Sequence, residues 1–437
     1  MLGEESFMGR WIVSFAFLVI ASPAAFGADE APVFMAGAHT VDITPPVGIP
    51  MWGYGARHDK PAEGVLEPLE ANALVIAVGE EKLAMVGLDM GRPPVRESFA
   101  RIKKAVAEQA GVDYLFIVGS HTHHGACVEL ADVPSKENSY QKKFENGIIE
   151  AIVTAEKKKV PAKWAVEQPK VQNRNRNRQS HTEPIPVDRE LGVIRVDDLN
   201  GKVIAIAVNF AAHPTSIDAD VCLYSPDYPG FLKKRVVQEF GGVCLFLQGA
   251  AGDMSPDRGG LDYKGYGTSM GEEVIKIAKA MTTQAPKNPS IKYREEEFQF
   301  QNLRVDYKNR VIRAVFANAF FKELVDFYME EYKDGVRPRV TVALINGDVG
   351  IVGGSGEFFC NHSIRLKERA RLPHTLFFGY CNDYQWYFPT IEAAAEGGYG
   401  ADGTVSPSPV GAGETIVNRG LFHLYDIQNK FKGITLR

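Results

Sequence analysis

The run Tyr114-Leu115-Phe116-Ile117-Val118-Gly119 leads directly into Ser120-His121-Thr122-His123-His124-Gly125. So short and apolar a stretch, closed by a polar turn, reads as a buried strand that delivers its side chains to one end. Three of the ten histidines fall in that exit. In an extended His-x-His both imidazoles point to the same side, so His121 and His123 can converge on one point. Neutral imidazole is a common zinc ligand. Taken alone, the segment also fits a polar surface loop.

Four more segments repeat the design. Val208–Phe210 leads to Ala211-Ala212-His213-Pro214, where His213 reads as a ligand or as a hydrogen-bonded structural residue. Leu245–Gln248 leads to the small-residue loop Gly249–Asp257, which carries Asp253 and Ser255. Small residues allow close backbone approach to a ligand, and an ordinary Asx turn fits as well. Ile351–Val352 leads through glycines to Glu357, a metal-binding carboxylate or an acid favoured at a helix start. Tyr380, Tyr384, Trp386 and Tyr387 crowd the fifth segment as core or as substrate wall.

Between these exits, strand-like runs (71–78, 82–88, 203–210, 243–247, 291–303, 340–345, 349–353) alternate with helix-like ones (97–110, 140–159, 228–240, 268–281, 310–327, 413–432). That alternation implies an α/β layered domain with a mixed β-sheet and catalytic loops at strand ends. A length of 437 residues allows two to three domains or one large one. With 45% hydrophobic and 24% charged residues the chain is neither disordered nor a polytopic membrane protein. A net charge of −5 gives no basic field, and the run Asn173–Arg178 lacks interleaved aromatics, so nucleic-acid binding has no support. The five cysteines form no CxxC and imply no disulfide lattice.

At the start, Arg10 precedes an apolar run over 11–21 and a small-residue exit before Ala28. This reads as a signal peptide over residues 1–27, with export to the periplasm or outside the cell. An uncleaved anchor is the other reading. The catalytic domain would then fill residues 28–437.

In order, these segments resemble the neutral (alkaline, non-lysosomal) ceramidase family, zinc-dependent amidases that split ceramide into sphingosine and fatty acid. The likeness begins at Gly37–Pro45 (GAHTVDITP) and Met51–Tyr54, and passes through Leu88–Gly91. It continues through Ser120–Gly125, Phe210–Ser216 and Ser225–Gly230. It then takes in the hexapeptide Gly252–Asp257 (GDMSPD), Gly356–Phe358 and Asn382–Tyr387. The resemblance implies a Zn2+ cofactor held by His121, His213, Glu357 and Tyr387. It places His123 beside the reaction centre, makes Ser255 the essential serine, and sets Tyr399 against the scissile carbonyl. Asp253 would orient its loop, and it is counted with Arg176 among the substrate-binding residues. One of Arg174, Arg176 and Arg178 matches the family arginine, and Arg176 is chosen. Asp257, Ser355 and His124 stand where the family has Asn, Pro and Ser. Classical members also carry a C-terminal immunoglobulin-like domain, for which this chain has no length left. It therefore resembles a short bacterial branch with one large catalytic domain.

The implied function is hydrolysis of the amide bond of an N-acyl lipid such as ceramide by metal-activated water. Ser255 either binds a substrate hydroxyl or attacks. A zinc-dependent esterase or deacetylase acting on a sugar or small amide is the alternative, followed by a non-catalytic secreted binding protein. The expected partner is a lipid or small amide, with no obligate protein partner. Trp52, Tyr54 and Phe358–Phe359 are candidates for an apolar rim in peripheral contact with a membrane, and they read equally as core.

Overall fold

Eight extended segments, most of them rich in β-branched and aliphatic residues, assemble into one sheet. The computed structural model describes residues 32–432, so the expected signal peptide at 1–27 lies outside the described residues. The strands are β1 (Phe34–Asp42), β2 (Glu70–Val78), β3 (Glu81–Leu88), β4 (Tyr114–Gly119), β5 (Val160–Glu167), β6 (Gly192–Asp198), β7 (Val203–Phe210) and β8 (Val243–Gln248). Their spatial order is β8-β7-β6-β5-β1-β2-β3-β4. The pairs β3–β4 and β7–β8 are parallel, and the others are antiparallel. A parallel pair needs a crossover. Here α1 (Arg96–Ala110) links β3 to β4, and α3 (Tyr228–Phe240) links β7 to β8. Each edge of the sheet is thus a βαβ unit, the arrangement that gathers ligands at carboxyl ends of strands.

The two edges also meet. Gly87 on β3 lies so close to β8 that an added Cβ would stand 2.6 Å from the Phe246 carbonyl oxygen. Only glycine permits this approach. The sheet curls on itself, and the exits of β4 and β7 come together.

A second sheet packs inside that curl. It comprises β9 (Ile291–Glu297), β10 (Arg339–Ile345), β11 (Val349–Gly354) and β12 (His374–Phe378), in that spatial order. Leu74, Met85, Phe116 and Leu247 from the first sheet bury against Ile351, Leu376 and Phe378 from the second. Helices cover the outer faces. Helices α1 and α2 (Tyr140–Lys157) cover one half of the large sheet, and α3 and α4 (Tyr263–Ala280) cover the other. Helices α5 (Arg310–Ala319) and α6 (Lys322–Glu331) form a hairpin over the site. Helices α7 (Cys360–Ala370) and α9 (Ala412–Ile427) cover the small sheet, with the short α8 (Ile391–Glu396) between them in the chain. The expected α/β layering is present, as helix–sheet–sheet–helix.

Two expected elements differ. The helix expected over 310–327 breaks at Phe320, whose φ of −119° and ψ of −120° are not helical. The break turns Phe316, Phe321 and Leu324 onto one buried cluster, so an apolar period that looks continuous serves two helices. The strand expected over 291–303 leaves the regular ladder after Glu297, opposite Pro338, which has no N–H to give. All five cysteines are unpaired. No described helix is long and apolar enough to cross a membrane.

Candidate metal centre

Two residues beyond β4, His121 takes a left-handed φ of 70°. Non-glycine residues rarely adopt this conformation, and such strain collects at functional sites. Tyr380, Asn382 and Trp386, on the segment facing His121, also have positive φ. The turn aims the His121 ring, and a backbone carbonyl then orients it. Nδ1 donates to the Gly91 oxygen at 2.7 Å. A carbonyl only accepts, so the proton sits on Nδ1 and Nε2 presents a lone pair. His213 repeats the device three residues beyond β7, donating from Nδ1 to the Ala251 oxygen at 2.7 Å.

The two Nε2 atoms stand 3.0 Å apart. Glu357 Oε2 lies 3.3 Å from each. His121, His213 and Glu357 are all buried. His123 completes a group of three imidazoles whose ligand atoms lie within 4.8 Å of one another. Both ring nitrogens of His123 are buried without a hydrogen-bond partner. Lone pairs that converge this closely repel unless a cation shares them. Imidazole nitrogens with a carboxylate oxygen are a zinc-type donor set. The group can therefore bind a metal ion.

Electrostatics agree with that reading. Burial pushes His213 down to about 3, with Arg178 and His121 adding to it, so the ring is neutral at pH 7. Burial also holds His123 well below the usual range. For Glu357 burial works the other way, yet the carboxyl stays well below its usual range, because a proton on His121 or His213 would stand 3.3 Å from its oxygen. Tyr384 donates to Glu357 Oε1 at 2.5 Å, and Tyr380 to Oε2 at 3.2 Å. Tyr387 sits beside Glu357 in a two-residue parallel ladder, Glu357–Phe358 against Tyr387–Phe388. Burial and the Glu357 charge hold the Tyr387 phenol well above its ordinary value.

The walls are specific. Trp52 stands edge-on to both His121 and His123, with ring centroids 5.0 and 5.8 Å away. Its Nε1 donates to the buried Glu129 at 2.9 Å, and Tyr328 of α6 donates to the same oxygen at 2.6 Å. Gly53, at φ 103°, lets the chain pass His123; a Cβ there would stand 2.4 Å from the ring. A cleft opens from the centre. Its far wall is apolar, built from Phe316, Phe320, Phe321, Leu324, Val325 and Met329 of the α5–α6 hairpin.

Of the residues expected from sequence, His121, His123, Glu357, Tyr387 and Tyr399 line this cleft, and His213 meets the first of them from below. Tyr399 is 61% exposed at the mouth, its ring 5.7 Å from that of Tyr387. Three expected residues sit elsewhere. Arg176 is exposed, on a three-residue strand opposite Ser255. That strand ends at Asn177, whose side chain accepts from Gln179 and Ser180 N–H and turns the chain. Arg178, just past the strand, therefore swings inward to 3.1 Å from His213 Nε2 and 3.3 Å from the Tyr387 hydroxyl. It also donates to the Gly252 carbonyl at 2.9 Å. Arg178, rather than Arg176, reaches the centre. Asp253 is buried away from the cleft wall. It accepts from Cys360 N at 2.7 Å and Asn177 Nδ2 at 2.7 Å, so it ties the loop to the start of α7. Ser255 is half-buried outside the cleft wall, with no side-chain hydrogen bond among the described residues. Its neighbour Met254 accepts from the His213 N–H at 3.0 Å. Phe358 and Phe359 are core, while Trp52 and Tyr54 line the cleft. Sequence reasoning missed Tyr380 and Tyr384 as partners of Glu357; the dense tyrosine spacing up to Tyr387 was the signal.

Comparison with known proteins gives a consistent answer. A family model described as "Neutral/alkaline non-lysosomal ceramidase, N-terminal" matches residues 34–296. Neutral ceramidase B of Dictyostelium discoideum is 30% identical over 173 residues, covering 33% of this chain and 24% of that protein. Neutral ceramidase A of the same organism is 27% identical over 176 residues, covering 34% and 24%. The aligned stretch thus spans about a quarter of the length of these curated relatives. The crystal structure of neutral ceramidase from Pseudomonas aeruginosa superposes with a TM-score of 0.75 at 18% identity, over 93% of this chain and 76% of that one. A structure described as ceramidase complexed with C2 gives 0.76 at 17%, over 93% and 77%. At these identities the structures speak for the fold alone. The family model covers more than half of the sequence, and with it the chain belongs to the neutral/alkaline non-lysosomal ceramidase family.

Proposed function

We propose that the chain is a zinc-dependent hydrolase that cleaves the amide bond of an N-acyl lipid such as ceramide. One observation carries the reading: a buried cluster of imidazoles and a carboxylate opens onto a cleft whose far wall is apolar. His121, His213, Glu357 and Tyr387 would hold the ion. When bound, a zinc ion supplies Lewis-acid polarisation and lowers the pKa of water to about 7.

The chain's own residues do the rest. The Gly91 and Ala251 carbonyls lock both imidazoles with Nε2 inward. Tyr380 and Tyr384 hold Glu357. His123, neutral and unpartnered, is free to take or give a proton at the reacting amide. Arg178 and Tyr399 are donors set near the place where the carbonyl oxygen gains charge. The α5–α6 hairpin receives the hydrocarbon chain and excludes water. Among the described residues no base is hydrogen-bonded to the Ser255 hydroxyl, which favours a binding or loop role over attack. Export over residues 1–27 belongs to the same reading, since a lipid amide presented outside the cytoplasm would meet the enzyme there.

The family and the names of its relatives support the lipid substrate. The apolar wall disfavours acetylated sugars. Zinc-loaded protein should release fatty acid from a fluorescent N-acylsphingosine and leave acetylated sugars and short amides largely intact. His213→Ala should lose both zinc and activity. Full activity in zinc-free His213→Ala, or a preference for acetyl esters, would overturn the proposal.

A further inference from the structure

Gln248, the last residue of β8, is fully buried and has no place in the chemistry above. Its side chain nevertheless joins both histidine loops. Nε2 donates to the Ser120 carbonyl at 3.0 Å and to the Ala212 carbonyl at 2.9 Å. Ser120 immediately precedes His121, and Ala212 immediately precedes His213. On the other side of the amide, Oε1 accepts from the Gly249 N–H at 3.1 Å and the Ala212 N–H at 3.4 Å. The Gln248 backbone carbonyl accepts from Gly379 N at 3.0 Å, just before the tyrosine segment that holds Glu357. His121 follows β4 at one edge of the sheet and His213 follows β7 beside the other, so no ladder hydrogen bond fixes the distance between their loops.

We infer that Gln248 is a positioning residue for the metal centre: one amide sets the separation of the two imidazoles by clamping the peptide before each. The inference rests on the metal-centre reading and deepens it. The physical reason is donor arithmetic. The Ala212 carbonyl also accepts from the Tyr228 hydroxyl at 2.8 Å, but the Gln248 amide joins it to the Ser120 carbonyl, supplying two N–H groups in a fixed fork. Glutamate has the same shape but offers at most one hydrogen. One carbonyl is then left facing an oxygen, and the loops separate. Groups that orient ligands from behind typically matter about 10- to 100-fold in metal affinity.

Asn209 provides the control. It is also buried, and its Nδ2 also donates to two carbonyls, Leu247 at 2.8 Å and Phe377 at 3.1 Å, but it touches neither histidine loop. The test measures zinc affinity by chelator competition on metal-stripped full-length protein, for wild type, Gln248→Glu and Asn209→Asp. Apo-protein melting is followed alongside. Both variants should melt lower than wild type. Gln248→Glu should bind zinc about 10- to 100-fold more weakly, while Asn209→Asp should stay within about threefold. Wild-type affinity in Gln248→Glu, or an equal loss in Asn209→Asp, overturns the inference. If Gln248→Glu does not fold, Gln248→Met, which removes both donors without adding an oxygen, is read the same way. A wild type that binds no zinc at all instead refutes the metal-centre reading, so the two failures are distinct.

Discussion

Glu357 and Tyr387 are paired residues of one two-residue parallel ladder, with the Glu357 N–H donating to the Trp386 carbonyl at 2.8 Å. A helix and a strand separate them in the chain, yet the ladder sets carboxylate and phenol side by side. The backbone, rather than side-chain packing alone, fixes this half of the centre.

Tyr384 should matter to the centre through Glu357. Tyr384→Phe leaves a buried, ionised oxygen without its 2.5 Å donor. A hydrogen bond to a charged group contributes about 1.5–3 kcal/mol. We expect zinc affinity to fall with little change in secondary structure, checked by metal titration and circular dichroism. Unchanged affinity would remove Tyr384 from the site.

The two arginines should separate cleanly. Arg178→Ala should lower turnover by about 100-fold or more, the usual cost of losing one positioned donor (~2.7–4 kcal/mol). Arg176→Ala, exposed and outside the cleft, should stay within about twofold. Steady-state kinetics on both variants decide it, and the reverse pattern would place Arg176 at the centre.

The inter-sheet core should be costly to empty. Phe116 is fully buried between the sheets, edge-on to Phe378 with ring centroids 5.7 Å apart. Phe116→Ala should destabilise by about 3–5 kcal/mol, read from the midpoint of chemical denaturation. A change under about 1 kcal/mol would mean that the two sheets do not pack as described.

Stability should carry a pH signature from Asp253. Burial pushes its carboxyl up to about 6, against hydrogen bonds from Cys360 that pull it down. The folded value lies above the unfolded one, near 3.9. The native state therefore binds more protons in that window, and the contribution to stability falls as pH rises from about 4 to about 6. Asp253→Asn removes the titration. Its stability relative to wild type should rise across that window and level off above it. A difference that stays flat with pH would show that Asp253 is ionised throughout.

Much of this was legible beforehand. The apolar run at Tyr114–Gly119, the twin at Val203–Phe210 and their histidine exits are strong local patterns, and both strands stand where the pattern puts them. Strands β1, β5 and β6, neighbours in the sheet, are not legible in the sequence. Pro161 in β5 and the half-exposed residues of β1 blur the alternation on which such readings depend. The break at Phe320 was equally hidden, because apolar spacing reports which faces are buried and not where a helix turns.

The sequence by itself determined the chemistry present: imidazoles and carboxylates at the ends of buried strands, in an order that resembles one family. Local hydrophobic period and residue type suffice for the first, and the likeness of the motifs for the second. Only the tertiary structure decided which of those groups meet. His121 and His213 come within 3.0 Å because the sheet curls until its edges touch at Gly87 and Phe246. Arg178 displaces Arg176 because a strand ends one residue earlier. Closure of a sheet and the length of a three-residue strand depend on contacts between distant segments, which no local pattern encodes.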